Sequence, residues 1–149
     1  MKFCALPNTR TMSRVYYDNN DMGFYTKPNV ETDFTIMIRG GYTGLDVSSY
    51  GNIVYGINGL NPKSNWKKRV LQLPDYQEGL LQVILDEVVD RGIGLNYTNN
   101  WETYYDEARG LICIGEPKNI GTIRFLDNCF ASLDNGILYS VWIYQFELY

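Results

Sequence analysis

Histidine is absent from all 149 residues. That removes Ser-His-Asp and Cys-His pairs, His-bearing zinc sites and the usual general base at neutral pH. Cysteine is scarce: Cys4, Cys113 and Cys129, odd in number and never spaced C-x-x-C. A secreted disulfide framework calls for an even, denser set, so reduced thiols and a cytoplasmic setting are the expectation. No apolar run nears the roughly 20 residues of a membrane helix, and MKFCALPNTRTMSR offers no apolar core of a signal peptide. Phosphate-loop, dinucleotide and nucleophile-elbow patterns are missing, and Asp18-Asn19-Asn20-Asp21 has the wrong spacing for an EF-hand. On these grounds no catalytic residue, metal site or cofactor is assigned. Linker tracts and repeats are missing as well. Residues 1–149 therefore read as one domain, long enough to bury a core without covalent staples.

What the chain has is tyrosine, 13 residues against 6 Phe and 3 Trp. Tyr joins a large apolar ring to a polar tip and serves cores and interfaces alike. The net charge of −4 is unevenly placed: residues 1–74 sum to +4, 75–110 to −6 and 111–149 to −2. A −6 segment repels phosphate backbones and attracts basic partners. The stretch NWKKR (65–69) sets Lys67, Lys68 and Arg69 beside Trp66, a combination that can hold single-stranded nucleic acid. Three charges on an acidic chain read instead as a solvated loop or one that pairs with acidic helices. Neither a nucleic-acid nor a membrane partner is expected.

The first half reads as β and loop. SRVYY and GFYTK flank the turn DNNDM, a hairpin over about 13–27. TDFTIMIR (32–39) is a strand ended by Gly40-Gly41, and NIVYGI (52–57) is a short strand among dense glycines. LPDYQEGLLQVILDEVVDRG carries Asp75 and Glu78 as a capping box, apolar residues at 80, 81, 84, 85 and 88, and Gly92 as a stop, which predicts a helix over about 76–91. In NNWETYYDEARG, residues 101, 104, 105 and 108 fall on one helical stripe, which predicts a second helix over about 100–109 with its aromatics inward. LICIG (111–115), IGTIRFL (120–126) and CFASL (129–133) return to β. Asn135-Gly136 then predicts a hairpin into a long strand, 137–149, apolar on both faces. The expected fold is α+β: a single domain with a mainly antiparallel sheet and two adjacent helices. Cys113, between two Ile in a core strand, reads as a small buried hydrophobe.

On that fold the carboxylates Asp86, Glu87, Asp90, Glu102, Asp106 and Glu107 face solvent on two helices. With Trp66, Tyr50 and Tyr55 as aromatic anchors, they form a candidate surface for a basic protein. In size, acidity, Tyr/Trp content and element order the chain resembles the small bacterial immunity proteins of contact-dependent inhibition and polymorphic toxin systems. The closing FLDNCFASLDNGILYSVWIYQFEL (125–148) is similar in style to their sheet strands. The resemblance implies a cytoplasmic, non-enzymatic inhibitor that blocks one cognate toxin, for instance a nuclease domain; it carries over no site residues. The competing expectation is a small ligand-binding domain or carboxylate-based enzyme. Its pocket would lie at the Gly-rich loops 40–59, lined by Asp33, Asp46, Tyr42 and Tyr55. An acidic mimic that blocks a DNA-binding protein shares the electrostatics of the first reading, and self-association through Tyr-rich strands is compatible with either.

Overall fold

The computed structural model describes residues 1–7, 10–39 and 42–145. Gly40 and Gly41, expected to end a strand, and the last residues of the expected 137–149 strand lie outside that set. The chain is nearly all β. Among the described residues fifteen strands run β1 (Lys2–Leu6), β2 (Arg14–Asp18), β3 (Gly23–Lys27), β4 (Phe34–Arg39), β5 (Thr43–Ser48), β6 (Ile53–Leu60), β7 (Lys67–Lys68), β8 (Tyr76–Glu78), β9 (Leu80–Ile84), β10 (Gly94–Asn96), β11 (Thr103–Asp106), β12 (Leu111–Gly115), β13 (Thr122–Leu126), β14 (Cys129–Asp134) and β15 (Ile137–Tyr144). One 3-10 turn, Lys63–Asn65, interrupts them.

Two sheets result. Sheet A has the order β1-β9-β6-β5-β4-β10, with the β2–β3 hairpin joined to β6. Sheet B has the order β7-β11-β12-β15-β14-β13-β8. They share one core: Phe3, Ile36, Leu45, Val54, Ile57 and Leu81 of sheet A pack in the same cluster as Ile112, Ile114, Phe125, Val141 and Ile143 of sheet B. Asn128 ties the two together. Its carboxamide exchanges hydrogen bonds with the Val15 peptide, donating to O and accepting from N at 2.8 Å each, and also donates to Tyr144 O. A side-chain amide thus supplies what a neighbouring strand would otherwise supply.

The two expected helices are corrected. Among the described residues there is no α-helix. Residues 76–91 instead form β8, β9 and a loop. Gly79 sits between the two strands where the chain leaves sheet B for sheet A: its N–H bonds Arg124 O at 3.2 Å, and a Cβ there would lie 2.8 Å from Leu6 O. Beyond it the apolar period is 2, with Leu81 and Val83 buried while Ile84 points to solvent. That alternation is the strand signal, and a mid-segment Gly disfavours a helix. Residues 100–109 become β11 and the turn into β12. Tyr104 and Tyr105, adjacent in sequence, point to opposite faces: Tyr105 packs on the shared core and Tyr104 on an outer cluster. Side chains at i and i+1 separate in this way only on a strand.

That outer cluster is the second layer of sheet B. Leu111, Cys113, Phe130 and Trp142 line its outward face and are buried. Residues 69–75 cover them, crossing the sheet as a strap from β7 on one edge to β8 on the other. Arg69 N bonds Tyr105 O and Leu71 N bonds the Asp106 carboxylate at the start of the strap. Leu71 and Leu73 cover the middle, and the Tyr76 ring meets Phe130 at 4.8 Å at the far end. Trp142 Nε1 is satisfied beneath it by Ser132 Oγ at 3.0 Å. β15 is thereby covered on both faces, as its doubly apolar sequence predicts. A bulge at Tyr139 shifts its alternation, so Leu138 shares the inner face with Val141 and Ile143.

Candidate functional site

The acidic residues of 75–110 form no single source. Asp106 is structural: only 7 % exposed, it accepts from Leu71 N, from Arg109 N and from the Arg109 guanidinium. The Leu71 N–H above all holds its carboxyl below the usual carboxylate range. Glu102, at the other end of β11, takes Lys67 Nζ at 2.7 Å and the Tyr104 hydroxyl at 3.1 Å. The NWKKR stretch is therefore partly spent on an internal ion pair. Glu107 lies exposed in the turn after β11. Trp66 is half-buried and engaged inside the fold: its ring lies among Tyr17, Phe24 and Tyr105, and its Nε1 donates to Asn61 Oδ1 at 3.0 Å. Tyr55 is the extra residue of a bulge in β6 and is half-buried.

Asp86, Glu87, Asp90 and Tyr50 do come together, at one end of sheet A. Three segments meet there: 28–33, the β5–β6 turn and the loop 85–93. Gly92 N bonds Asp33 O, Ser49 N and Oγ both bond the Asp33 carboxylate, and Arg91 pairs with Glu31 at 2.8 Å. Leu85 and Val89 pin the 85–93 loop by packing on the core, which leaves Asp86, Glu87, Val88 and Asp90 outward. The Ser49 hydroxyl and N–H hold Asp33 below the ordinary carboxylate range, so it remains ionised. These segments carry Glu31, Asp33, Asp86, Glu87 and Asp90 against the single cation Arg91, a net of −4. The same segments carry two bare apolar groups, Tyr50 at 90 % and Val88 at 98 % exposure.

The outward face of sheet A continues from this end, and among the described residues no strap covers it. Two open clefts lie on it. One, of about 330 Å³, is lined by Thr35, Met37, Tyr42, Gly44, Asp46, Asn58, Gly59 and residues 92–94. The other, of about 480 Å³, is lined by Asp18, Asp21, Tyr25, Lys27 and Leu60, and shares Asn58 and Gly59 with the first. Around them stand exposed rings: Tyr42, and the stacked pair Tyr16–Tyr25 at 5.4 Å. The expected glycine-loop pocket thus exists with Asp46 and Tyr42 in its wall, whereas Asp33 and Tyr55 lie outside it. Tyr16 and Tyr25 escaped the sequence reading. Their signal was the exposed phase of the 13–27 hairpin, where a polar side chain is the ordinary occupant.

Asp46 is the chemically distinctive group. It stands half-buried in β5 with Thr35 Oγ1 at 3.5 Å from Oδ1. Burial pushes its carboxyl above the usual range, against smaller opposing effects of Asn58 and Thr35. Glycoside hydrolysis needs two carboxyl groups roughly 5–9.5 Å apart, and among the described residues lining this cleft Asp46 is the one carboxylate. A larger cleft, about 630 Å³ between β1 and β8, lies elsewhere and holds Cys4, Asp75 and Asp134. Cys113 is buried under the strap, and burial lifts its thiol to about 12, far from a nucleophile's range. Among the described residues no three His, Cys, Asp or Glu side chains gather as a metal-binding group. No helix among them is long and apolar enough to cross a membrane.

Comparison with known proteins adds no identity. No protein family matches this chain, and neither does any curated protein compared with it.

Proposed function

We propose that the chain is an inhibitory binding protein. It covers a basic protein partner with the open face and acidic end of sheet A. The observation that carries this reading is the uncovered Tyr-rich face running into a −4 rim. Rigid Tyr rings supply contact area at low entropic cost. A one-signed rim steers a basic partner and raises its association rate. A nuclease toxin domain has the matching surface, because it must be basic around the phosphate it cleaves. This keeps the class of partner that the resemblance to immunity proteins implies, while moving the contact from two helices to one sheet.

The test is a pair of charge reversals. The partner is first retrieved with tagged protein at low salt, and its association rate is then measured. Asp86, Glu87 and Asp90 changed together to Lys should lower that rate about tenfold or more, with little change in dissociation. Glu102 and Glu107 changed to Lys, on sheet B, should leave it unaltered. Equal effects of the two sets, or none from the first, would sink the proposal.

A further inference from the structure

We propose that the cleft around Asp46 is a receptor for a guanidinium group, and that its occupant in the complex is an arginine side chain of the partner. This rests on the binding reading above and assigns that face its specific anchor. Three observations carry it. First, the carboxylate lacks a cation: among the described residues Asp46 makes no ion pair. A half-buried carboxylate hydrogen-bonded only to neutral groups carries a desolvation cost in its charged form, and an arriving cation offsets it.

Second, glycine lets the side chains around Asp46 lie close against the sheet. A Cβ at Gly56 would stand 3.2 Å from Asp46 Oδ2 and 3.0 Å from Thr26 Oγ1. One at Gly44 would collide with the Thr35 side chain and lie 3.2 Å from Met37 Sδ. A side chain at either position would displace Asp46 or Thr35 from the place each takes beside the cleft. Third, the walls suit a flat, weakly hydrated cation better than an ammonium. The Tyr42 ring, Met37 and Ile93 offer apolar and aromatic surface, and Thr35 Oγ1 and the Asn58 carboxamide supply further polar atoms. Guanidinium stacks on aromatic faces, gives up water more readily than ammonium and presents several N–H donors to a carboxylate.

The experiment uses the whole chain and no partner. N-acetylarginine methylamide is titrated into 15N-labelled protein, with the citrulline analogue as the neutral, nearly isosteric control. The amide resonances of Gly44, Gly56, Gly59 and Gly94 are followed. Saturable shifts confined to this cleft are expected, with Kd on the order of 1 mM for a ligand of this size. The citrulline analogue should give none. Asp46→Asn should weaken binding by at least about tenfold, the usual effect of deleting a charged hydrogen-bond partner. That variant loses a buried charge and keeps an acceptor for Thr35, and an unchanged amide spectrum elsewhere confirms that it folds. Shifts of equal size with citrulline, no saturation, or undiminished binding by Asp46→Asn would overturn the assignment. Failure here leaves the charge-reversal result standing, and failure there leaves this one standing, because one reads a free ligand at Asp46 and the other a protein's association rate at the rim.

Discussion

The outward faces of the two sheets are treated in opposite ways. Sheet B builds Leu111, Cys113, Phe130 and Trp142 outward and then closes them under its own chain, 69–75. Sheet A leaves its outward face open and furnishes it with Tyr16, Tyr25, Tyr42, bare glycines and an uncompensated carboxylate. One face gains stability by hiding apolar area from water. The other forgoes it at Asp46. Local departures from the most stable arrangement mark the places where a protein does something besides fold. The asymmetry shows cohesion built into sheet B, and on the proposed reading recognition falls to sheet A.

The contrast can be broken most forcefully under the strap. Trp142→Ala or Phe130→Ala should cost about 3–5 kcal/mol, as large-to-small changes in a packed layer do, and denaturant titration should show the lowered midpoint. The same measurement on Tyr42→Ala, on the open face, should show a change within about 0.5 kcal/mol. Next in size is Asp106→Ala, which removes the acceptor of Leu71 N. It should speed hydrogen exchange at the Leu71 amide and lower Tm while leaving cleft resonances in place. Because the folded carboxyl sits below its ordinary value, Asp106 contributes stability above the ordinary carboxylate range, lost as pH falls through its depressed folded value. The deficit of Asp106→Ala should therefore shrink on acidification.

The smallest effect has the opposite sign. Asp46 titrates above its ordinary value when folded, so the native state binds the extra proton. Its charge then costs stability as pH rises from the ordinary value through the raised one. Asp46→Asn should raise Tm at neutral pH, with the gain vanishing below the ordinary Asp range. A mutant that is stabilised yet loses arginine binding would separate the two sheets' roles most sharply. A destabilised one would place Asp46 among the structural groups.

The legibility of the sequence follows the same division. Hairpins with turn chemistry were readable: DNNDM between β2 and β3, and Asn135-Gly136, where Asn135 has φ 50° and Gly136 φ 80°. The two helices were not, for a specific reason. The apolar set 80, 81, 84, 85 and 88 runs from β9 into the loop after it, and its 3.6-residue spacing is accidental: Leu81 and Leu85 face the core while Ile84 and Val88 face solvent. In 101–105 the mimicry came from Tyr104 and Tyr105 serving separate apolar layers, a possibility open only once the strap gives sheet B a second one. The site was half legible. Dense glycine pointed to the cleft with Tyr42 and Asp46, and the acid-rich run contained Asp86, Glu87 and Asp90. That Glu31 and Asp33 would join them, and that Asp106 would be taken by a backbone N–H, depends on contacts between segments far apart in sequence.

The strap has one further consequence. Its two ends are β7 and β8, strands of two and three residues, and they are the two borders of sheet B. A long bare border strand is a template on which another chain can polymerise, and very short ones offer little to copy. Residues 67–78 therefore terminate the sheet on the left and on the right with a single stretch of polypeptide. A single cut within that stretch would therefore loosen both borders at once.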